Sequence, residues 1–348
     1  MTLDEAFRDQ AETCTRMGSP FTGHVLRCLA ESWPVGSALD QALSVYEGDI
    51  GPAGHSLPLR LAGGLHGLVL SGRDADLAAL YPPNETDVAA LQARIPETLK
   101  THEDFLIEWT RTAPQTNEVR RSAALIAGAH VARAHFDRPF VISELGASGG
   151  LNLNWDRYAV AAGDARFGAA DPVLTLRPDW DGPLPPATPP VVAARAGVDL
   201  APLNPADPKD RLRLTAFLWA DQPERLALTA AAAPVQQTKV EQGDAIDWLE
   251  QRLASAPAGH LHFIQHTVAW QYFPAEAQAR GQAMIEAAGQ AATSDTQLAW
   301  MQMETDGDRT GKIGAALTLR LWPGDITLDL GRADFHGRWV TWQGSETS

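Results

Sequence analysis

The chain changes its period at Pro139, and that change limits what it can fold into. Upstream, apolar residues recur three and four apart, as in Phe21, Val25, Leu26 and Leu29, then Leu57, Leu61, Leu65 and Leu68. That spacing puts one apolar face on each of a series of helices. At Phe140-Val-Ile-Ser-Glu-Leu145 the pattern becomes a short apolar run closed by Gly146-Ala-Ser-Gly-Gly150, which reads as a buried strand ending in a tight turn. With 348 residues the chain exceeds what one core usually covers. The expectation is a helical region over 1–115 followed by a second domain over 116–348.

The second part alternates strands and helices. Strand signals fall at Val191 to Leu200, Thr238-Lys-Val-Glu241, His260 to Thr267 and Gln297 to Met303. Helical stretches fall at about Lys209 to Ala233, broken near Pro223, then from Asp244 to Leu253 and from Ala275 to Gly289. The tail reads as two strands around Pro323-Gly-Asp325 and then Arg338-Trp-Val-Thr-Trp342. This order predicts an α/β domain, a Rossmann-like doubly wound and mostly parallel sheet with a C-terminal antiparallel hairpin. Ten of the 24 prolines lie between Pro172 and Pro208; they cannot be helix interior, so an insertion near 172–208 is expected to run over the surface.

Composition narrows the partners. The 28 Lys and Arg against 43 Asp and Glu give a net charge of −15, a field that repels phosphate backbones and anionic lipid, so neither nucleic acid nor a membrane is expected. Cys14 and Cys28 are the only cysteines, too few for a disulfide framework. The acidic N-terminus lacks a signal-peptide pattern and no apolar stretch is long enough to span a bilayer, so the expected compartment is the cytoplasm. Nothing in the pattern fixes the oligomeric state.

A strand running into a glycine turn and then a helix brings backbone close to a ligand, and three chemistries use such a turn. A dinucleotide fingerprint needs glycine at 146, 148 and 151, where this chain has Gly, Ser and Leu, which disfavours NAD. Gly146-Ala-Ser148-Gly-Gly150 also matches the nucleophile elbow of α/β serine hydrolases, with Ser148 as nucleophile and Asp244 and His266 or His336 following in order. Against it, Glu144 would place a negative charge where an oxyanion must be stabilised. The upstream region is helical, and its Gly63-Gly-Leu-His-Gly67 lies within a helical pattern, unlike an oxyanion loop.

The third chemistry uses every unusual residue of the segment. Glu144-Leu-Gly146-Ala-Ser148-Gly149-Gly150 resembles the S-adenosylmethionine turn of class I methyltransferases. The resemblance implies that Glu144 faces the cofactor amino group, while Gly146, Ser148 and Gly149 admit the methionine moiety. It also implies an acid after each of the next two strands. Val240-Glu-Gln-Gly243-Asp244-Ala245 is similar to that family's Gly-Asp-Ala signature, which sets Asp244 beside the adenine. For the ribose, Asp199 in Arg195-Ala-Gly-Val-Asp199 is preferred over Asp221 in Trp219-Ala-Asp-Gln. Together with Gln115-Thr-Asn117-Glu-Val-Arg120-Arg121 and His336-Gly-Arg-Trp, these fragments resemble an uncharacterised bacterial domain-of-unknown-function family with a methyltransferase-like core. That resemblance implies that the segment from Asn117 to Arg121 closes over the cofactor carboxylate.

The implied activity is S-adenosylmethionine-dependent methyl transfer to a small-molecule or protein acceptor. No Asp-Pro-Pro-Tyr or Asn-Pro-Pro-Tyr follows the fourth strand; the position reads Gln265-His266-Thr267-Val-Ala-Trp270. His266 is the candidate base for an acceptor that must lose a proton. Trp155 and Trp270 are candidates for an acceptor pocket, although core packing accounts for tryptophans equally well. His260, His262 and His266 share a strand face, but the first and last are about 20 Å apart on an extended strand, so no metal is expected. Besides the hydrolase, the remaining alternative is a non-catalytic relative that binds a nucleotide-like ligand.

Overall fold

The computed structural model describes residues 1–51, 54–307 and 313–344. It divides into two compact units, one of residues 1–116 with 207–227 and the other of 117–206 with 228–348. The helical unit therefore takes a returning segment, 207–227, that the sequence pattern assigns to the second domain. Asp207 starts that segment's helix, Pro208–Ala216, by accepting from Lys209 N and Asp210 N, and Pro208 occupies its first position, where a missing N–H has no consequence.

In the first unit, the helix Leu3–Arg16 opens on a reciprocal cap between Thr2 and Glu5. It buries Phe7, Ala11 and Cys14 with Leu26, Leu29, Leu61, Leu65, Leu68 and Leu106 in one apolar core. Gly63-Gly-Leu-His-Gly67 is the middle of the helix Leu57–Leu70. A Cβ at Gly63 would meet the Phe217 ring at 2.5 Å, and one at Gly67 the Trp109 ring at 2.9 Å. These glycines give a helix face that aromatic rings can approach closely, and they form no oxyanion loop.

The second unit contains strands β1 (Phe140–Leu145), β2 (Tyr158–Ala162), β3 (Ala165–Gly168), β4 (Leu174–Leu176), β5 (Asp179–Asp181), β6 (Val192–Asp199), β7 (Glu241–Gln242), β8 (His260–Thr267), β9 (Thr296–Glu304), β10 (Ala315–Trp322), β11 (Ile326–Ala333) and β12 (Trp339–Trp342). Among the described residues, nine of them form one mixed sheet in the order β5-β12-β11-β10-β9-β8-β1-β6-β7. The pairings β7–β6, β6–β1, β1–β8, β8–β9 and β12–β5 are parallel, and β9 through β12 form an antiparallel meander. The tail thus continues the large sheet with three antiparallel pairings, more than the single hairpin expected.

Alternate residues of the strands enter two cores. Phe140 and Ile142 of β1 and Leu261 and Phe263 of β8 pack with the alanine-rich helix Ser122–His135. Leu145 and Ile264 pack with Trp248, Leu249 and Ile285 of the helices Ala245–Leu253 and Ala275–Gln290. Because successive strand residues point to opposite faces, these helices cover opposite sides of the sheet.

The proline-rich segment is more structured than expected. It contributes β4, β5 and β6, and β4 joins β2 and β3 in a second sheet. Between β5 and β6 it is tied to the helix Ser122–His135: Pro186 O lies 2.8 Å from His130 Nδ1, and Thr188 Oγ1 donates to His130 O at 2.7 Å. Among the described residues, no helix is long and apolar enough to cross a membrane.

Candidate functional site

The chain runs from β1 to β6 and β7 on one side, then returns to β8 and β9 on the other. The strand order therefore reverses between β1 and β8, and ligands of parallel α/β sheets bind outside the carboxyl ends of the strands at such a point. Glu144 stands there. It faces Gly197 of β6, which has no side chain, and Gln265 of β8.

Glu144 is 2 % exposed, and its Oε2 has no hydrogen-bond partner among the described residues. Burial away from water disfavours its charged form and pushes its pKa up to about 8, with Asp199 adding to the rise and Gln265 opposing it. Leaving a buried carboxyl oxygen unsatisfied is costly, which marks Glu144 as a candidate ligand contact. Gln265 is in a similar state: its Oε1 accepts from Trp155 Nε1 at 2.7 Å, while its Nε2 is buried without a hydrogen-bond partner among the described residues. The pattern of β8 carried this signal, since Gln265 interrupts the apolar face begun by Leu261 and Phe263.

The turn after β1 needs its glycines. Gly146 and Gly150 take φ of 69° and 71°, and Ser148 takes 52°, in the region that residues with a Cβ rarely occupy. A Cβ at Gly146 would also stand 2.6 Å from that of Ala269, so the turns after β1 and β8 approach closely. Asp199 ends β6 and holds the turn from below, accepting from Ser148 N at 2.8 Å and from Ala201 N at 3.0 Å. Gly243 N donates to Asp199 O. Asp244 then caps the helix Ala245–Leu253 by accepting from Ile246 N at 2.8 Å and Asp247 N at 3.0 Å. Asp221 lies in the first unit, where it accepts from Ser19 Oγ and Phe21 N.

The segment before the helix Ser122–His135 is bonded to these turns. Asn117 Oδ1 accepts from Leu151 N at 2.8 Å. Arg121 donates to Phe335 O at 2.8 Å and to Thr267 O, at the end of β8, at 3.1 Å. Asn117 and Arg121 therefore meet the strand edge through backbone groups.

His266 points to the other face of β8. Its Nδ1 is 2.8 Å from Glu304 Oε1, its Nε2 accepts from Trp300 Nε1 at 2.9 Å, and Trp270 stacks on it with centroids 4.9 Å apart. Both ring nitrogens are engaged, so the base role expected of His266 lacks a nitrogen facing an acceptor. Trp270 belongs to this stack, and Trp155 is fully buried as the donor to Gln265. Glu304, which the pattern did not single out, also accepts from Ala269 N and Trp270 N at 2.9 and 3.1 Å. Just before them Val268 is held at φ 53°, a strained conformation for a β-branched residue.

His262 Nε2 faces Ser143 Oγ at 2.8 Å, and burial with the neighbouring Arg252 lowers its pKa to about 4. His260 Nδ1 faces Ala258 O. Among the described residues, no group of three or more His, Cys, Asp or Glu is placed to hold a metal ion. An open groove of about 430 Å³, lined by Asp179, Trp180, Asp181 and Trp339, lies at the β5 edge, six strands from β1. Buried, unsatisfied polar atoms gather at Glu144 and Gln265, and we take that point as the site.

These features define an α/β chain with acids and a glycine turn at the carboxyl edge of its parallel strands. The chain belongs to the bacterial family described as "Uncharacterized protein conserved in bacteria (DUF2332)", whose model matches residues 4–342. No curated protein matches the chain, and no solved structure matches it.

Proposed function

We propose that this chain is an S-adenosylmethionine-dependent methyltransferase acting on a small molecule or a protein group. The observation that carries the reading is the buried, unpartnered Glu144 Oε2 beside a glycine turn, where the strand order reverses. The parallel strands β7-β6-β1-β8-β9, with helices on both faces, favour a Rossmann-like, doubly wound core. The first three of them in chain order, β1, β6 and β7, are each associated with an acid at the carboxyl end: Glu144, Asp199 and Asp244.

In this reading Glu144 receives the ammonium of the methionine moiety, and the backbone of Gly146, Ser148 and Gly149 lies along it. Asp199 takes the ribose hydroxyls, while Gly243, Asp244 and Ala245 border the adenine. Asn117 and Arg121 hold the segment over the carboxylate end. The bound sulfonium supplies an activated methyl group. The protein's share is alignment and exclusion of water. Because His266 has both nitrogens engaged, the acceptor is one whose nucleophile carries no proton to be removed by that residue.

The hydrolase alternative needs a free histidine near Ser148 and an acid behind it. Asp244 is used as a helix cap and His266 is bound between Glu304 and Trp300, which weighs against the triad built on His266 rather than on His336. Calorimetric titration with S-adenosylhomocysteine tests the proposal, using wild type, Glu144→Gln and Asp244→Ala. Micromolar binding, weakened in both variants, is expected. A folded wild type that does not bind, but is labelled at Ser148 by an active-site phosphonate, would replace it with the hydrolase.

A further inference from the structure

We infer that Gln265, its amide turned by Trp155, is the positioning residue that aims Glu144 at a ligand ammonium, and that Glu144 yields its proton to solvent when the ammonium binds. The inference rests on the cofactor reading above and adds a specificity rule to it, that the site selects a cationic group through an acid that is neutral beforehand.

The geometry starts at Trp155. An indole N–H only donates, so its 2.7 Å bond to Gln265 fixes which end of the amide is oxygen. The Nε2 end is left for Glu144, its register neighbour on β1. From there Gln265 favours the ionised carboxylate, although neither Nε2 nor Glu144 Oε2 completes a hydrogen bond. On the other side β6 offers only Gly197. The titratable groups that act on Glu144 or feel it are Asp199, at the end of β6, and Tyr158 of β2, itself raised by burial. Both are acidic, so neither offsets the charge of the carboxylate. With burial and Asp199 opposing charge, the acid keeps its proton near neutral pH. An arriving ammonium reverses the balance, because an opposite charge at contact favours the ionised form. The step balances: the carboxylic acid and the ammonium become a carboxylate-ammonium pair, and one proton goes to buffer.

The test is titration of the full chain with S-adenosylhomocysteine at about pH 7 in phosphate and in imidazole, whose ionisation heats differ; the heat difference counts protons. Wild type is expected to release about one proton per site, and Glu144→Gln none. The probe 5′-methylthioadenosine, which has no ammonium, is expected to bind without release. In Gln265→Leu the pH midpoint of affinity is expected to rise by about one unit, with about tenfold weaker binding at neutral pH. Trp155→Phe, which removes the indole N–H together with part of the buried ring, is expected to move it in the same direction. Binding without proton release, or a Gln265→Leu profile that superimposes on wild type, overturns this inference and leaves the cofactor reading standing. A folded wild type that does not bind S-adenosylhomocysteine overturns both.

Discussion

Trp300 donates its indole hydrogen to His266 Nε2 across 2.9 Å. An indole cannot accept, so Nε2 is bare and the ring proton sits on Nδ1, directed at Glu304 Oε1 2.8 Å away. The same carboxylate takes the N–H groups of Ala269 and Trp270. Glu304 therefore ties β9 to the strained turn after β8. Glu304→Ala leaves a buried imidazole N–H and the backbone N–H groups of Ala269, Trp270 and Gln271 without their acceptor, and is expected to cost about 3 kcal/mol. Urea unfolding measures it. An unchanged midpoint would show that the turn is held by something else.

Glu144 gives a pH dependence whose sign is fixed. Its pKa rises from an ordinary 4.5 to about 8 in the folded state, chiefly through burial. Between those values the folded chain keeps a proton that the unfolded chain has lost, so stability is full below the lower value and falls as pH rises through the upper one. Glu144→Gln has no such proton to lose. It is expected to match wild type at about pH 4 and to be the more stable of the two at about pH 9, measured by urea unfolding at both. Equal stability at both pH values would mean that the carboxyl is solvated or paired.

Cys14 and Cys28 are buried, and burial pushes both thiols up to about 11. Only the thiolate reacts quickly. Native protein at about pH 8 is expected to resist iodoacetamide, with both thiols alkylated once urea unfolds the chain. Mass spectrometry before and after unfolding reads the result, and rapid native labelling of Cys14 would contradict the packing of the helix Leu3–Arg16.

The elements read most easily from sequence were those whose signal is local. Phe140 to Leu145, His260 to Thr267 and Gln297 to Met303 are apolar runs bounded by turns, and each is a strand of the large sheet. The strands missed were β2 to β5. Tyr158–Ala162 is mostly alanine, and Asp179–Asp181 becomes a strand only through pairing with Trp339 to Thr341, some 160 residues later in the chain. The return of 207–227 to the first unit was hidden in the same way, because a capped helix does not announce which core it joins. At the site, Glu144 was legible as an acid closing an apolar strand. Glu304 was not, since its importance comes from N–H groups supplied by the turn after a neighbouring strand.

Asp199 and Asp221 looked alike in sequence, and their surroundings now assign them different work. Asp221 accepts from Ser19 Oγ and from Phe21 N in the first turn of the helix Pro20–Glu31, which is what a helix-capping acid does. Asp199 accepts from Ser148 N inside the glycine turn, beside the point where the strand order reverses. Asp221→Asn is expected to lower stability by about 1–2 kcal/mol through the weakened cap. Its affinity for S-adenosylhomocysteine should stay within about twofold of wild type, because the change is confined to the helix start. Asp199→Asn is expected to weaken binding by about tenfold or more, since an amide both loosens the hold on Ser148 N and removes the charge that favours donated hydroxyls. Paired calorimetry and urea unfolding separate the two effects. If Asp221→Asn were the variant that lost affinity while Asp199→Asn kept it, the ribose assignment would pass to Asp221. The turn would then owe its shape, and nothing of its ligand, to Asp199.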